Sequence, residues 1–296
     1  VAWSLATENL NSQSLHGVAY GDGRYVAVGD RYNGSGLDGM VAFSSNGYTW
    51  QSGTLPAGAG SLTKVAYGAG RFVAVAQGGK IYSSADGIVW VETASGITDD
   101  LNSVRFAAGQ FVTVGNNGRI LTSPDGLTWS NRTPATCTTW LQGVARLDGA
   151  WYTTGWSETW ISDDAIVWTK TGGAYGRRAT SGGLGVGMGC LVAPGTNGAV
   201  CFSQNGTEWA IGSRVGSTDD YYTAVAEGNG TVVIVGGSGL IYQSGTPRMI
   251  APVFRSDSSM TSIVAGQATS LPVDASGYAK LELLVNGVVV AEIASP

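Results

Sequence analysis

The fold is decided by the stretch Ser83-Ser84-Ala85-Asp86-Gly87-Ile88-Val89-Trp90, because close copies of it recur along the chain. The copies are Ser44-Ser45-Asn46-Gly47-Tyr48-Thr49-Trp50, Ser123-Pro124-Asp125-Gly126-Leu127-Thr128-Trp129, Ser162-Asp163-Asp164-Ala165-Ile166-Val167-Trp168 and Ser203-Gln204-Asn205-Gly206-Thr207-Glu208-Trp209. Their aligned serines, at 44, 84, 123, 162 and 203, recur every 39–41 residues, and Ser244 continues the series. Each Asp-Gly or Asn-Gly pair suits the positive backbone torsions of a type I′ turn, so each copy predicts a tight β-hairpin.

A hairpin that repeats about every 40 residues is typical of a β-propeller. When the repeats are aligned on the serine, three further apolar columns appear, represented in one repeat by Val65, Phe72 and Ile81. We call the repeated serine-to-tryptophan stretch the box. The three columns predict three strands before the box, and the tryptophan at the end of the box is predicted to lie in a fourth strand. We therefore predict an all-β, six-bladed β-propeller over residues 1–250, with four short strands in each blade.

The two ends of the repeat region predict how the ring closes. The segment Val1-Ala2-Trp3-Ser4-Leu5-Ala6-Thr7 resembles a fourth strand with no blade before it, whereas the last repeat lacks its tryptophan. We expect this N-terminal strand to complete the sixth blade, since pairing there removes two open strand edges. A competing interpretation lets Arg248-Met249-Ile250 supply that strand. In the favoured interpretation the structural tryptophans are Trp3, Trp50, Trp90, Trp129, Trp168 and Trp209.

Residues 251–296 break the repeat pattern. Two strand-like runs surround Asn286-Gly287, a pair typical of a hairpin turn. Because so short a segment cannot bury a core of its own, we predict a C-terminal β extension. It is either the start of an immunoglobulin-like domain or a stalk of a longer protein.

The composition excludes several classes of function. Charged residues make up 12% of the chain, about half the usual ~25%, and there are 46 glycines and a net charge of −5. The basic residues are scattered, which disfavours nucleic-acid binding, and no apolar run approaches the ~20 residues of a membrane span. Few charges and many turns favour an extracellular or virion-surface location. The chain starts at Val1, which suggests a processed or excised piece of a longer protein.

The cysteines and the histidine predict neither a metal site nor a cofactor. No metal-ligand spacing occurs among Cys137, Cys190, Cys201 and His16, and His16 is the chain's one histidine. Cys190 and Cys201 lie on two arms of one predicted hairpin. They are either bridged or two small buried hydrophobic residues, and we favour the unbridged state.

The repeats resemble the Asp-box (BNR-type) propeller repeats, and more closely the Ser-x-Asp-Gly-x-x-Trp repeats of bacterial surface proteins and phage tail proteins. The resemblance covers residues 1 to about 250. The usual Asp-box has one residue between the acid and the glycine, whereas here Asp86 directly precedes Gly87. The resemblance implies that the box is a structural brace, so that Asp86, Asp125 and Asp164 serve their turns and not catalysis.

We predict that the chain is not an enzyme. A glycosidase of sialidase-like architecture would need paired carboxyl groups and an arginine cluster, for which no motif is present. The sequence also lacks a nucleophile elbow, a P-loop and a dinucleotide fingerprint. With one histidine, His16, in a non-repeated position, a Ser-His-Asp arrangement is not expected.

A ligand is expected on the face where the blades differ. With the four strands of each blade labelled a to d in chain order, strand alternation places the a–b and c–d turns on one face and the more variable b–c and d–a loops on the other. The first b–c segment, residues 30–39, is predicted to be a long loop. Aromatic rings beside charged groups are typical of sugar sites, since they combine stacking with polar contacts. The candidate ligand-binding residues on this face are Tyr32, Trp140, Trp156, Tyr175, Arg177, Asp220 and Tyr221. Two acidic corners, Asp99-Asp100 and Asp219-Asp220, lie on the same predicted face.

The leading hypothesis is a non-catalytic propeller of a phage tail fibre, virion or secreted bacterial adhesin that binds a cell-surface glycan or glycoprotein. The C-terminal segment would contact other virion or surface-assembly proteins. A structural spacer or assembly module is the first alternative, and a glycoside hydrolase is the second.

Overall fold

A computed structural model describes residues 13–155, 158–171, 183–194, 199–212, 222–228, 231–236, 241–244, 254–256, 259–261, 280–285 and 288–294. The chain divides into two compact units, Val1–Ser244 and Gly245–Pro296. In the described ranges the regular structure is β-strand, apart from two short 3₁₀ turns at Gln77–Gly79 and Asn116–Gly118.

The first unit is a six-bladed β-propeller, as predicted. The first three blades are β1 (Gln13–Gly21), β2 (Arg24–Tyr32), β3 (Leu37–Ser44) and β4 (Gln51–Ser52); β5 (Leu62–Gly68), β6 (Arg71–Ala76), β7 (Ile81–Ser84) and β8 (Val91–Thr93); and β9 (Leu101–Ala107), β10 (Gln110–Gly115), β11 (Ile120–Ser123) and β12 (Ser130–Asn131). The next three are β13 (Leu141–Leu147), β14 (Ala150–Gly155), β15 (Thr159–Ser162) and β16 (Thr169–Thr171); β17 (Gly185–Gly187), β18 (Cys190–Pro194), β19 (Val200–Ser203) and β20 (Ala210–Ile211); and β21 (Tyr222–Gly228), β22 (Thr231–Gly236) and β23 (Ile241–Gln243).

Each blade is an antiparallel sheet whose strand order follows the chain. The first strands of successive blades, β1, β5, β9, β13, β17 and β21, contact one another in turn, which makes them the inner strands of the ring. The second strands, such as β6, are buried almost along their whole length because neighbouring blades cover both of their faces. Among the described residues the sixth blade has three strands. Residues 1–7 with Trp3, and the alternative strand at 248–250, lie outside the described residues.

The type I′ turns lie at the a–b connections and not in the box, where they were predicted. In the second blade Ala69 and Gly70 have φ angles of 48° and 73°, the double positive φ that a type I′ turn requires. The same pair of positive φ angles recurs at 22–23, 108–109, 148–149 and 188–189. At the box, by contrast, Gly87 has a positive φ of 71° and Asp86 does not.

The box is a six-residue connection held by side chains instead of a tight hairpin. Oδ1 of Asp86 accepts hydrogen bonds from the backbone N–H groups two and three residues later, at 2.8 and 3.0 Å. Oγ of Ser84 donates to the same Oδ1 at 2.9 Å and accepts from the backbone N–H of Gly87 at 2.8 Å. The indole N–H of Trp90 donates to the carbonyl of Gly87 at 3.2 Å. The prediction of a tight type I′ hairpin was wrong because these side-chain bonds, and not backbone torsions alone, close the turn.

In the other described boxes Asn46, Asp125, Asp164 and Asn205 accept the same backbone hydrogen bonds. The indole bond recurs at Trp50, Trp168 and Trp209 but not at Trp129. Backbone N–H groups that point at the carboxylates of Asp125 and Asp164 hold their pKa values below the usual range. Burial opposes ionisation of Asp86, but the hydrogen bonds from two backbone N–H groups and from Ser84, together with the charge of Arg24, lower its pKa overall. These carboxylates therefore brace turns, in agreement with the role that the sequence assigned to them.

The box tryptophans lie immediately before the fourth strands and not within them, as Trp90 does before β8. Trp90, Trp168 and Trp209 are 3%, 6% and 4% exposed, whereas Trp50 and Trp129 are half-buried. The second blade packs closely against the first. A Cβ on Gly21 would lie 2.0 Å from the ring of Tyr67 in the next blade, so no larger residue fits there.

The cysteines form no disulfide. Cys201 pairs with Ala193 across β18 and β19, so Cys190 is three positions out of register. Cys190 packs in the core between the fifth and sixth blades, and Cys201 packs in the core between the fourth and fifth. The two thiols therefore face opposite sides of one sheet, as the unbridged interpretation requires.

The residues of the second unit that the structure describes form two β-hairpins. The hairpin of β26 (Lys280–Val285) and β27 (Val288–Ala294) matches the two predicted strands. The hairpin of β24 (Phe254–Ser256) and β25 (Ser259–Thr261) was not predicted, because its polar residues lack an alternating pattern. The turn residues Asn286 and Gly287 lie outside the described residues.

Candidate functional site

The ring has two faces with different connections. We call one the box face; in the described chain it comprises residues 22–23, 45–50, 69–70, 85–90, 108–109, 124–129, 148–149, 163–168, 188–189 and 204–209. We call the other the variable face; it comprises residues 31–38, 53–61, 77–80, 94–100, 116–119, 132–140 and 158. The box face repeats closely from blade to blade, so the variable face is where ligand contacts can differ.

Two of the seven predicted ligand residues are described. Tyr32, at the end of β2, is 66% exposed, and Trp140, just before β13, is 52% exposed. The other five, Trp156, Tyr175, Arg177, Asp220 and Tyr221, lie outside the described residues. The first and fourth blades of a six-bladed ring are opposite each other. Tyr32 and Trp140 therefore belong to two separate patches of the variable face.

A projecting hairpin distinguishes the first blade. The sequence treats residues 30–39 as a long loop, yet β2 and β3 remain paired as far as Tyr32 and Leu37. Only residues 33–36 connect them, and Oδ1 of Asn33 accepts from the backbone N–H groups of Ser35 and Gly36, both at 2.9 Å. The loop interpretation was wrong because cross-strand pairing extends further here than in the other blades. The result is a rigid support for the exposed side chains at its tip.

The tip of this hairpin presents an apolar pair and a charged pair. Tyr32 and Leu37 are opposite each other and are 66% and 53% exposed. Arg31 and Asp38 form the next pair inward. Within the described part of the chain, neither of these two charged side chains makes an ion pair or a side-chain hydrogen bond. Both remain available to a ligand. Sequence reasoning singled out Tyr32 but missed Leu37, Arg31 and Asp38, whose positions follow from the register.

A hollow of about 430 Å³ lies beside this hairpin. The chain leaves the sheet after Gly53, whose N–H donates to the carbonyl of Val41 at 2.8 Å, and returns at Ala59, whose carbonyl accepts from Gly39 at 2.7 Å. Between them Thr54 pairs with Val89 of the second blade, the N–H of Ala59 donates to the carbonyl of Pro56 at 3.3 Å, and the segment borders the space. The side chains that line this first-blade hollow include Arg31, Asp38, Ser52, Thr54, Leu55 and Pro56. Its volume falls within the range of small-ligand pockets.

The second blade has an equivalent hollow of about 310 Å³. Its polar lining residues are Lys80, Glu92, Thr93, Ser95 and Thr98. The ammonium group of Lys80 donates to the carbonyl of Gly58, which lines the first-blade hollow, at 2.7 Å. The two hollows are therefore neighbours, and the loop of residues 54–58 lies between them.

A second patch lies on the fourth blade around Trp140. The carbonyl of Trp140 would be 2.9 Å from a Cβ on Gly155, so the two segments are in close contact. Glu158 accepts from Lys170 Nζ at 2.5 Å and from the indole N–H of Trp160 at 3.2 Å. This patch combines an exposed aromatic ring with a carboxylate and an ammonium group that already bind each other.

The acidic corner Asp99-Asp100 is an internal brace. Asp99 accepts from Asn117 Nδ2 at 2.5 Å and pairs with Arg119 at 2.6 Å, and these two contacts lower its pKa. Asp100 accepts from the backbone N–H of Gly78 in the preceding blade at 2.8 Å. These carboxylates hold loops together and do not face a ligand space. The other corner, Asp219-Asp220, lies outside the described residues.

His16 takes part in a hydrogen-bonded contact between the first and second blades. It is the extra residue of a β-bulge, and its Nε2 lies 2.8 Å from Oδ2 of the buried Asp30. Oγ of Ser61, at the start of the second blade, donates to the same oxygen at 2.5 Å. Burial of Asp30 opposes its ionisation, but the bonds from Ser61 and His16 lower its pKa overall. Ser61 and His16 thus both bind the carboxylate, whereas a catalytic triad needs the serine to bind the histidine.

The same bulge position joins other pairs of blades. In the second blade Thr63 Oγ1 donates to the carbonyl of Leu101 in the third at 2.6 Å. In the third blade Asn102 Nδ2 donates to the carbonyl of Leu141 in the fourth at 2.8 Å. His16 therefore occupies a position whose repeated role is to link adjacent blades.

The described segments contain neither a candidate metal site nor a candidate membrane-spanning helix. No group of three or more His, Cys, Asp or Glu side chains there could hold a metal ion. No helix in the same segments is long and apolar enough to cross a membrane.

Comparisons with known proteins place the chain by its fold. No protein-family model and no curated protein matches it. It is similar to the structure of YCF48 bound to a D1 peptide, with a TM-score of 0.60 and 15% identity over 79% of this chain and 78% of that chain. It is similar to catalytically inactive virginiamycin B lyase from Staphylococcus aureus with quinupristin, with a TM-score of 0.66 and 10% identity over 83% and 89% of the two chains. The designed Ika8 protein aligns with a TM-score of 0.55 and 13% identity over 79% and 71%. At these identities the likeness establishes the β-propeller fold alone.

Proposed function

We propose that this chain is a non-catalytic binding propeller whose variable face holds a glycan or a glycosylated receptor. The observation that carries the proposal is the first-blade hollow. It is a preformed space of about 430 Å³ beside a rigid hairpin that ends in an exposed tyrosine. A preformed site costs less ordering entropy on binding than a flexible loop does.

The chemistry of the hollow suits hydroxyl groups. The guanidinium of Arg31 donates hydrogen bonds and the carboxylate of Asp38 accepts them, so together they can engage neighbouring sugar hydroxyls. Tyr32 is not among the residues that line the hollow; it is exposed at the hairpin tip, where its ring offers a separate surface on which an apolar sugar face can stack. The fourth-blade patch around Trp140 would form a second, separate contact.

Two observations support the non-catalytic part of the proposal. His16 is bound to Asp30, and the box carboxylates are bound to backbone N–H groups. Neither is placed to act as a general base on a ligand in either hollow. The likeness to virginiamycin B lyase concerns the fold, at 10% identity, and carries no residue across.

The setting we propose is the outside of a cell or a virion. The Asp-box-like repeats and the low charge content favour a phage tail fibre or a secreted adhesin. The second unit, residues 245–296, would then join the propeller to other surface-assembly proteins. An array of several copies would turn weak single sites into useful avidity.

A peptide ligand is the second candidate. YCF48, whose fold is similar, was solved with a D1 peptide. The first-blade hollow, bordered by backbone and by Leu55 and Pro56, would also admit an extended segment. A protein partner would bind by its side chains, without a sugar.

The experiment is glycan-array and whole-cell binding by the isolated chain and its variants. Tyr32→Ala and Trp140→Ala test the two patches separately. Tyr48→Ala is the matched control, because Tyr48 is 59% exposed on the box face. We expect Tyr32→Ala to weaken binding about tenfold or more and Tyr48→Ala to leave it unchanged.

Each contrary result points to a different conclusion. Equal binding by the folded Tyr32→Ala and Trp140→Ala variants would move the site off these patches. Binding to peptides with none to glycans would favour the second candidate. Binding to nothing would leave a structural spacer as the better description.

A further inference from the structure

We infer that the ligand of the variable face is a linear oligosaccharide that lies across the first and second blades and occupies both hollows. The inference rests on the proposed function and goes further, because it sets the form of the ligand. A monosaccharide would occupy one hollow. A linear oligosaccharide would occupy both hollows at once.

The geometry shows that the hollows adjoin. Both are bordered in the same way, by a chain that follows the fourth strand and returns against a glycine. In the first blade that glycine is Gly39, whose N–H donates to the carbonyl of Ala59. In the second it is Gly79, where an added Cβ would lie 2.3 Å from the carbonyl of Ile97. Lys80, from the second hollow, reaches the wall of the first at Gly58. One loop therefore separates two repeats of the same space.

The chemistry also repeats. Each hollow offers one cation and one carboxylate, Arg31 with Asp38 in the first and Lys80 with Glu92 in the second. The second adds three hydroxyl-bearing side chains, and Ile97 is its one large apolar lining residue. A ligand that presents the same hydroxyl pattern at intervals satisfies both hollows, as a homopolymer of sugars does. A polypeptide with apolar side chains would leave the polar groups of the second hollow without partners.

Two exposed alanines allow each hollow to be filled without disturbing the core. Ala57 lines the first hollow and Ala94 lines the second, and both are exposed. Replacement by tryptophan would occupy the space with a bulky ring. Ala85→Trp is the control, because Ala85 is exposed on the box face, where other repeats carry Ser, Pro, Asp and Gln.

The experiment measures binding of the whole chain to an array of neutral and N-acetylated amino sugars, each printed as a monosaccharide and as linear oligomers up to the hexamer. We expect oligomers to bind at least about tenfold more tightly than the monosaccharide of the same sugar, since a second linked contact adds effective concentration. Ala94→Trp and Ala57→Trp should each remove this gain, and the double variant should also abolish monosaccharide binding. Ala85→Trp should change neither. Thermal melting confirms that each variant is folded.

The outcomes separate the two proposals. Binding that does not increase with oligomer length, or a gain that persists in Ala94→Trp, would overturn the two-hollow inference and leave the proposed function intact. Absence of binding to every printed sugar would refute the proposed function, and the inference with it. Binding to an array of extended peptides in place of sugars would overturn the oligosaccharide as the ligand.

Discussion

The packing of each box against the preceding blade can be tested at one glycine. Gly87 has a φ of 71°, and an added Cβ would lie 2.6 Å from Cγ2 of Val26 and 3.2 Å from the ring of Phe72. Val26 and Phe72 are both 0% exposed, so neither can move into solvent. Gly87→Ala therefore combines two costs, a strained backbone and an overfilled contact between blades.

The matched control is Gly70→Ala. Gly70 has nearly the same φ, 73°, but nothing lies within 4 Å of its added Cβ. A left-handed backbone costs an L-residue about 1–2 kcal/mol, offset by about 0.4–1 kcal/mol from the lower entropy of the unfolded chain. Gly70→Ala should thus lower the free energy of unfolding by about 0–1.5 kcal/mol. Overpacking typically adds about 1–3 kcal/mol, so Gly87→Ala should cost that much more than the control.

The assay is urea unfolding followed by tryptophan fluorescence, with thermal melting as a second measurement. For a unit of this size each kcal/mol lowers Tm by about 2–4 °C. If the two variants have the same m-value, the shift in the urea midpoint reports the change in the free energy of unfolding. Equal shifts for the two variants would refute the reasoning. They would mean that the second box is not packed tightly on the first blade.

Three other predictions follow from the same contacts. Trp90→Ala should cost about 3–5 kcal/mol, because Trp90 is 3% exposed, whereas Trp140→Ala, at 52% exposure, should cost little in the same urea assay. The triple variant Asp86→Asn, Asp125→Asn and Asp164→Asn should resist acid better. The lowered pKa values mean that these carboxylates stabilise the fold above their unfolded pKa of about 3.9 and lose that contribution as pH falls through the folded values. Asn46 and Asn205 show that an amide makes the same bonds; a steep acid loss in the triple variant would contradict this account. Thiol titration should find three reactive groups in the denatured, unreduced chain and none in the native chain at pH 8, since burial raises the pKa of Cys137 to about 11. One reactive group after denaturation would show a disulfide.

The regular features of this protein could be predicted from sequence because they are local. The spacing of the boxes fixes the number of blades, and the apolar columns around Val65, Phe72 and Ile81 identify the strands. The brace role of the Asp86 carboxylate also follows from its own neighbours, since the hydrogen bonds of that carboxylate join residues at most three positions apart. Contacts of this kind involve a few consecutive residues, which the sequence displays directly.

The turn types were misjudged for a related reason. An Asp-Gly or Asn-Gly pair is compatible with a type I′ turn and with a side-chain-braced turn, and the sequence does not distinguish them. At the box, Ser84 and Trp90 add bonds that favour the braced form. At the a–b connection, Ala69 and Gly70 adopt the type I′ torsions because the two strands pair without interruption up to the turn.

The candidate site was decided by tertiary structure. The first-blade hollow joins the hairpin residues Arg31 and Asp38 to residues 52–59, and its connection to the second hollow depends on Lys80 reaching Gly58. Asp99 resembled a surface ligand group in the sequence but pairs with Arg119, twenty residues later. The sequence alone determined the number of blades, their strands and the repeat position of the box tryptophans, because a periodic pattern of local contacts specifies each blade independently. Which exposed side chains meet on the variable face depends on strand register and on the packing of one blade against the next, and these are interactions between segments far apart in the chain.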